Sequence, residues 1–187
     1  MKHKKITVEN SYEIDIYDDL FPMTFRQAAH RFFKDSLYQI GFSDSADEEL
    51  AKYDQHLNSV YDEQDIAMLG INSYIKTISK YEHILDTWQL ETANVNLTTY
   101  SDANQIHTHE GQKIFLYYGN LNWKDGAHGE TIFYNNARDE VEYTSPYTPG
   151  RLIVFDGEIP HTIRPQSVIG PKYRFTFAQF YNKPREI

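Results

Sequence analysis

Cysteine is absent from all 187 positions, which removes disulfides, thiolate zinc sites, iron-sulfur clusters and a cysteine nucleophile together. Any metal held by this chain must therefore be met by His, Asp or Glu. Positive charge is also in short supply. With 18 Lys and Arg against 27 Asp and Glu, the formal net charge is -9, so the sequence lacks a broad electrostatic footprint for nucleic acid or anionic lipid. No nucleic-acid partner is expected. Long apolar runs are missing too: the amino terminus, MKHKKITVENSYEIDIYDD, starts basic and turns acidic without an apolar stretch. Neither a secretory signal nor a membrane span is read there, and a soluble, intracellular, cytoplasmic protein is the expectation. There is no Gly-rich phosphate loop, internal repeat, linker or low-complexity tract.

Aromatic residues are plentiful. Fifteen Tyr and 11 Phe bring the aromatic share to 15%, a composition that favours strands. A chain of this length suits one domain with one core, here residues 1–187. Its first 87 residues read as supporting structure: a strand-like piece in KITVENSYEIDIYDD, then helical patterns over 23–36, 46–62 and 64–87. In the last pattern Ile66, Leu69, Ile71, Tyr74, Ile75, Ile78 and Ile84 recur mostly every three or four residues, the stripe of a helix laid against a sheet. From about Trp88 the period changes to two. NVNLTTY, KIFLYYGNLNW, ETIFYN, EVEYT, RLIVFDG, HTIRP and YRFTFAQFYN are strands separated by Gly, Pro, Asn and Asp turns. The fold class expected is mainly β with packed helices (α+β), a sandwich or jelly roll with the helices on one outer face.

Of eight His, two stand as His107-Thr108-His109 beyond the strand NVNLTTY, and His161 follows a strand and a Pro in RLIVFDGEIPH. Alternate side chains of an extended backbone share a face, so His107 and His109 can address one point, and a distant third His can complete a facial set. Iron(II) suits such imidazole and carboxylate ligands and keeps open positions when three protein groups occupy one face. His3, His30, His56 and His83, in the terminal tail or helical segments, read as surface or packing residues; His128, in the turn DGAHGET, is a second candidate. In the last strand Arg174, Thr176 and Ala178 share one face, with Tyr173, Phe175, Phe177, Gln179 and Tyr181 on the other. A guanidinium so placed can grip a carboxylate through two parallel hydrogen bonds, with Thr176 adding a hydroxyl. The strand pattern by itself also allows an Arg on a solvated sheet face.

Taken in order, HTH, FLYYGNLNW, HGETIFYN, PGRLIVFDGEIPH and YRFTF resemble the prolyl 4-hydroxylase branch of the 2-oxoglutarate and iron(II)-dependent oxygenases over about 80 residues from Tyr100 to Tyr181. The resemblance implies a double-stranded β-helix core, residues 88–187. It implies iron(II) and 2-oxoglutarate, with ascorbate as an accessory, and a reaction that couples formation of succinate and CO2 to hydroxylation of an unactivated carbon. The leading substrate is a prolyl residue of a peptide or protein; a small molecule is the other choice. Carried over residue by residue, His107 and His161 match iron ligands, and Arg174 matches the partner of the far carboxylate of 2-oxoglutarate. Thr176 matches the hydroxyl beside that Arg, and Tyr118 a Tyr that hydrogen-bonds the cosubstrate. Gly129-Glu130-Thr131 matches a turn with a structural role, and Gly150, Asp156 and Gly157 are read as turn residues.

Two departures stand out. The family motif ends in Asp where this chain has His109, so the metal set becomes His107, His109 and His161 unless Glu110 or Asp102 supplies a carboxylate. A neutral imidazole in place of an anion leaves the site one charge more positive. In addition, Arg174 lies further beyond His161 than in the family pattern, with the extra length in the loop from Gln166 to Lys172 and Arg164 as a rival anion ligand. Two other readings stay open beside the hydroxylase: a cupin-like three-His metal dioxygenase that does not use 2-oxoglutarate, and an inactive metal-binding interaction module.

Overall fold

A computed structural model describes residues 1–42, 56–102 and 104–184. Eleven named strands form two antiparallel sheets. The larger contains β1 (Lys2–Thr7), β2 (Glu13–Asp18), β3 (Gln39–Phe42), β4 (His56–Tyr61), β5 (Gln89–Thr98), β6 (Gln112–Tyr118), β9 (Leu152–Asp156) and β11 (Arg174–Asn182). Its spatial order is β1-β2-β9-β6-β11-β5-β4-β3. The smaller sheet runs β10-β7-β8, built from His161–Ile163, Thr131–Tyr134 and Val141–Ser145. Every strand expected between Trp88 and Asn182 is present. The chain is the two-sheet jelly roll that its strand spacing implies, with helices on the outer face of the larger sheet.

Among the described residues four helices cover that face: α1 (Met23–Lys34), α2 (Glu63–Leu69), α3 (Ile71–Ile75) and α4 (Ser79–Thr87). In α1, Phe25, Ala29 and Phe33 recur every fourth residue and are buried. The stripe expected over 64–87 packs on the sheet through Ile66, Ile71, Ile75 and Tyr81. Yet it is three helices and not one, because Gly70 takes a left-handed conformation (φ 71°) that closes α2. Asp62 caps α2 in a reciprocal capping box with Asp65.

The helical pattern over 46–62 is a correction. Residues 46–55 lie outside the described segments, and 56–61 is strand β4, paired with β5 from Leu57↔Leu97 to Tyr61↔Ala93. In HLNSVY the alternation sends Leu57 and Tyr61 to the helix layer and His56 and Asn58 to the other face. Ladder pairing with β5 decides here over a helical period that six residues only weakly define. The amino-terminal segment likewise forms two strands, with His3 on β1 paired to Tyr17. Both flanks of the large sheet thus come from the first third of the chain.

The register of the large sheet splits its inner face into two halves. Across β5, β11, β6, β9 and β2 run the rows Asn94–Ala178–Leu116–Ile153–Ile16 and Thr92–Phe180–Ile114–Phe155–Ile14. From β11 to β2 these rows are apolar and pack under the small sheet with Phe133, Tyr147 and Ile159. From β11 toward β4 they turn polar. On the outer face Phe175, Phe177, Phe115, Tyr117, Leu152 and Val154 meet the helices. Burial of both faces by apolar side chains supplies the main driving force for this sandwich.

Candidate active site

Between the sheets lies a cavity of about 280 Å³ lined by β4, β5, β6, β9 and β11 on one side and by β7, β10 and the segment 107–109 on the other. His107, His109 and His161 all face it, and their ligand atoms lie within 4.8 Å of one another. Among the described residues this is the one such cluster. Strand pairing brings it together. His107 and His161 form an isolated antiparallel bridge with backbone hydrogen bonds of 3.0 Å in both directions. The backbone of His109 is fixed by its N–H to the Gly157 carbonyl at 2.7 Å.

The imidazoles are presented in a form that suits a metal. The Nδ1 of His107 is 3.0 Å from the Gln105 carbonyl and that of His161 is 2.8 Å from the Ile159 carbonyl. A carbonyl can only accept, so each Nδ1 carries the proton and each Nε2 lone pair is left for the cavity. Burial, then the neighbouring His107 and His109, hold the pKa of His161 well below the ordinary 6.5. It is therefore neutral at physiological pH, as a metal ligand must be. Imidazole nitrogens on one ion stand at most about 4 Å apart, so small ring rotations would close this set onto a single cation. The residues present fit a three-imidazole metal centre.

Neither rival carboxylate enters this cluster. Glu110 is exposed, and Asp102 accepts a hydrogen bond from the backbone N–H of Thr99. His128 stands outside as well, with Nδ1 3.7 Å from Glu130 and Nε2 3.4 Å from Arg164. Arg164 is exposed, which removes it as a buried anion ligand.

Arg174 is 0% exposed, so the solvated-face alternative fails. Its Nε donates to the Gly129 carbonyl at 3.0 Å, and its Nη1 is 3.5 Å from the Thr176 hydroxyl. The guanidinium lies over the rings of Tyr147 and Tyr118, 5.0 and 5.7 Å from their centroids. Its Nη2 has no hydrogen-bond partner, and among the described residues no carboxylate pairs with it. Burial drives its pKa down, while Tyr147, Tyr118 and Glu130 favour the charge from beyond ion-pair reach. The group does not line the cavity itself; it stands behind Thr176 and Thr98, which do. Thr98 is its cross-strand partner. The hydroxyls of Thr98 and of Thr162 are buried without partners too.

Tyr118 is fully buried and also off the cavity wall. Its hydroxyl donates to Thr131 at 2.7 Å, and its ring stacks on Tyr147 at 4.4 Å. Thr131 does line the cavity, so Tyr118 reaches it through that side chain. The Gly129-Glu130-Thr131 turn has a sharper role than a plain turn. Gly129 adopts φ 88°, and a Cβ there would meet Trp123 at 2.7 Å; the glycine lets its carbonyl hold Arg174. Gly157 has a similar duty, since a Cβ on it would stand 2.1 Å from the His109 carbonyl.

The longer connection after His161 is pinned and not loose. Gln166 is buried, and its Nε2 donates to the Thr98 carbonyl at 2.8 Å, while Ser167 N–H donates to the Ala127 carbonyl. Several wall residues carried no sequence signal that singled them out: His56, Asn94, Asn96, Thr98 and Thr162. Only the alternation Thr92-Ala93-Asn94-Val95-Asn96-Leu97-Thr98 hinted that one face of β5 is not core.

Comparison with known proteins now bears on this geometry. No family model and no curated protein matches the sequence. Solved structures do. A prolyl-4-hydroxylase from Pseudomonas putida superimposes with a TM-score of 0.66 at 14% identity, over 91% of this chain and 92% of its own. A Trichoplax adhaerens prolyl hydroxylase, solved with a peptide fragment of the hypoxia inducible factor oxygen degradation domain, gives 0.62 at 15% identity over 91% and 83%. The fold is that of the prolyl 4-hydroxylase-like 2-oxoglutarate and iron(II) oxygenases. The same fold also serves SnoN, an alpha-ketoglutarate-dependent epimerase from nogalamycin biosynthesis, with a TM-score of 0.56 at 12% identity over 91% and 78%. A jelly roll of this kind therefore does not by itself fix the reaction. As for the membrane, no helix among the described residues is long and apolar enough to cross one.

Proposed function

We propose that this chain is a 2-oxoglutarate- and iron(II)-dependent dioxygenase that hydroxylates an unactivated carbon, with a prolyl residue of a peptide or protein as the leading substrate. The observation that carries this reading is Arg174, a wholly buried guanidinium with an unpartnered Nη2 and, among the described residues, no carboxylate within ion-pair reach, Glu130 acting on it only from further off. A protein does not bury an uncompensated charge at no cost; burial without a partner costs several kcal/mol and makes sense where an anionic ligand supplies the counter-charge. Thr176 and the orphaned hydroxyl of Thr98 add donors on the cavity side. A dicarboxylate reaching from the imidazole cluster toward Arg174 would satisfy all three.

In this reading His107, His109 and His161 hold the iron, which would supply oxygen activation coupled to decarboxylation of 2-oxoglutarate to succinate. The protein's own part is positional. His107 and His161 keep their protons on Nδ1 against carbonyls, so the metal-facing nitrogens stay basic. Arg174, with Thr176, orients the cosubstrate, and the apolar wall of Ile114, Phe155, Ala178 and Phe180 keeps water away from the reacting carbon. Prolyl chemistry is supported by the prolyl hydroxylases among the structural neighbours, one of which was solved with a peptide. The cupin-like alternative without 2-oxoglutarate is favoured by one observation, the all-imidazole cluster; the buried Arg174 weighs against it.

The test is an anaerobic iron(II) titration with 2-oxoglutarate, followed by oxygen exposure with ascorbate as reductant and detection of succinate. A visible charge-transfer band and succinate release are expected. Iron binding without either would leave the three-His dioxygenase and the inactive metal-binding module, and no iron binding would overturn both dioxygenase readings.

A further inference from the structure

The inner face of β5 breaks the usual rule for a sandwich. Its alternation puts Ala93, Val95 and Leu97 against the helices, as a core strand should. The opposite set, Thr92, Asn94, Asn96 and Thr98, would be solvated on an ordinary half-exposed strand. Here Asn94 is 3% and Thr98 0% exposed, and all four line the cavity. The polar set extends sideways. Asn96 is paired in register with Asn58 of β4, whose Nδ2 donates to Asn96 Oδ1 at 2.6 Å. His56, 3% exposed on β4, lines the same wall.

Two features of this wall point to a ligand. First, Asn94 Oδ1 is buried and accepts no hydrogen bond from the described residues, although Oδ1 of its neighbour Asn96 accepts one from Asn58. A buried carbonyl oxygen without a donor is costly, and folds retain one where something else donates to it. Second, among the described residues none of the 18 that line the cavity is Asp, Glu, Lys or Arg. Arg174, the one cation fully buried among the described residues, is committed to the other end, behind Thr176. A charged group placed against β4 and β5 would lose its hydration and, among the described residues, meet no charged side chain on that wall.

We infer that the carboxamide wall of β5, with Asn94 at its centre and Asn96, Thr92 and His56 beside it, is the specificity surface for the primary substrate, and that it selects an uncharged group presenting an N–H or O–H donor. A carboxamide is neutral and offers one acceptor and a paired donor in a fixed plane, so it complements an amide or a hydroxyl. It cannot neutralise an ammonium or a carboxylate. The wall therefore takes amide- or hydroxyl-bearing compounds and refuses the ionised forms of the same skeletons, which sets free amino acids apart from their blocked derivatives. Asn94 acts here by binding and orientation. The inference rests on the dioxygenase reading above for what happens to the bound group, but not for which group binds.

The experiment uses the whole chain with zinc(II) as a redox-inert metal and 2-oxoglutarate at saturation, so that carboxylates cannot occupy the Arg174 end. Matched pairs are then compared by saturation-transfer NMR and calorimetry: carboxamides and alcohols against the corresponding carboxylates and ammonium compounds, with N-acetylproline methylamide against free proline among them. At least tenfold preference for the neutral member is expected, and Asn94→Leu, nearly isosteric but without the acceptor, should erase it. Equal or better binding of the ionised members, no binding of any neutral member, or an unaltered preference in a folded Asn94→Leu protein would each overturn the inference. The preliminary 2-oxoglutarate titration reports separately on the dioxygenase reading: if it fails while the neutral preference holds, the function is wrong and the wall is right. The comparison of neutral and ionised pairs on the unmutated chain needs no variant, so poor folding of Asn94→Leu would not protect the idea.

Discussion

A guanidinium that is 0% exposed has given up its hydration, and in the ligand-free protein it recovers only one strong hydrogen bond, to Gly129. Replacing such a group with an apolar one of similar length is often neutral or stabilising, by up to about 4 kcal/mol, whereas its removal from function is severe. Arg174→Met should therefore leave thermal unfolding of the ligand-free protein unchanged or raise its midpoint, while raising the Michaelis constant for 2-oxoglutarate more than tenfold. Arg174→Lys should not rescue it, since an ammonium cannot offer two parallel N–H groups. A drop in stability together with normal 2-oxoglutarate kinetics would make Arg174 a structural residue. His109 invites the opposite kind of change. With Glu110 exposed and Asp102 engaged by Thr99, no carboxylate of the described residues joins the three imidazoles. His109→Asp should add one negative charge to the cluster and tighten iron(II) binding, measured by titration, with turnover kept or raised. Unchanged affinity would show that position 109 is not a ligand.

At the scale of elements, two of the three imidazoles come from one connection, the segment between β5 and β6, and its backbone is held by the turn after β9. Gly157 both accepts the His109 N–H and donates to the Gln112 carbonyl, and Lys183 spans Asp156 and Glu158 at 3.1 and 2.8 Å just beyond it. A methyl at position 157 would collide with the His109 carbonyl at 2.1 Å, which is backbone and cannot swing aside. Gly157→Ala is accordingly expected to displace the His107–His109 segment. It should lower metal affinity at least tenfold, while far-UV circular dichroism stays native because the β9 ladder is untouched. Wild-type affinity would mean that the segment tolerates the shift. Such an effect is not legible in DGEIPH, where Gly157 looks like any turn glycine. The strands after Trp88, the face assignment of Arg174, Thr176 and Ala178, and the shared face of His107 and His109 were readable, because period-two alternation and local turns determine them; the place of His161 beside them was legible only through the family resemblance, since cross-strand pairing brings it there. What escaped depends on cross-strand neighbours. His56 entered the cavity only because β4 pairs with β5, and the polar face of β5 lines a cavity only because the second sheet covers it. Alternation tells which residues share a face; it does not tell what that face meets.

At the scale of the whole molecule, the amino-terminal hairpin must be anchored for the large sheet to keep its β2–β9 pairing, which runs from Ile14↔Phe155 to Tyr17↔Leu152. The anchor is Asp15, 4% exposed on β2. It accepts hydrogen bonds from Lys80 at 2.6 Å and Tyr81 at 2.7 Å, both on α4, and lies 2.6 Å from His3 Nε2 on β1. Three elements from both ends of the first half thus meet at one carboxylate, and His3 stacks on Tyr17 at 4.5 Å to close the cluster. Burial alone would push the Asp15 pKa up, but the hydrogen bonds from Lys80, Tyr81 and His3 outweigh it and hold the value below the ordinary 3.8. A depressed folded-state pKa means that the unfolded chain binds the proton more readily. The stabilisation is fully present above about pH 4 and is lost as pH falls through the folded-state value. Lys80 has the complementary sign: burial opposes its charge, yet its hydrogen bond and proximity to Asp15 raise its pKa above 10.5, so its contribution fades only as pH climbs beyond that. Asp15→Asn should therefore cost about 1–3 kcal/mol at neutral pH, because it removes a buried charge-assisted acceptor. It should also flatten the acid limb of a stability-versus-pH curve measured by urea unfolding between pH 2 and 5. Metal affinity should change little, since the cluster lies on the helix side of the sheet and the imidazoles on the other. An acid limb as steep in Asp15→Asn as in the parent would place the acid sensitivity elsewhere, and a parallel loss of metal binding would mean that the amino-terminal hairpin supports the site as well as the sheet.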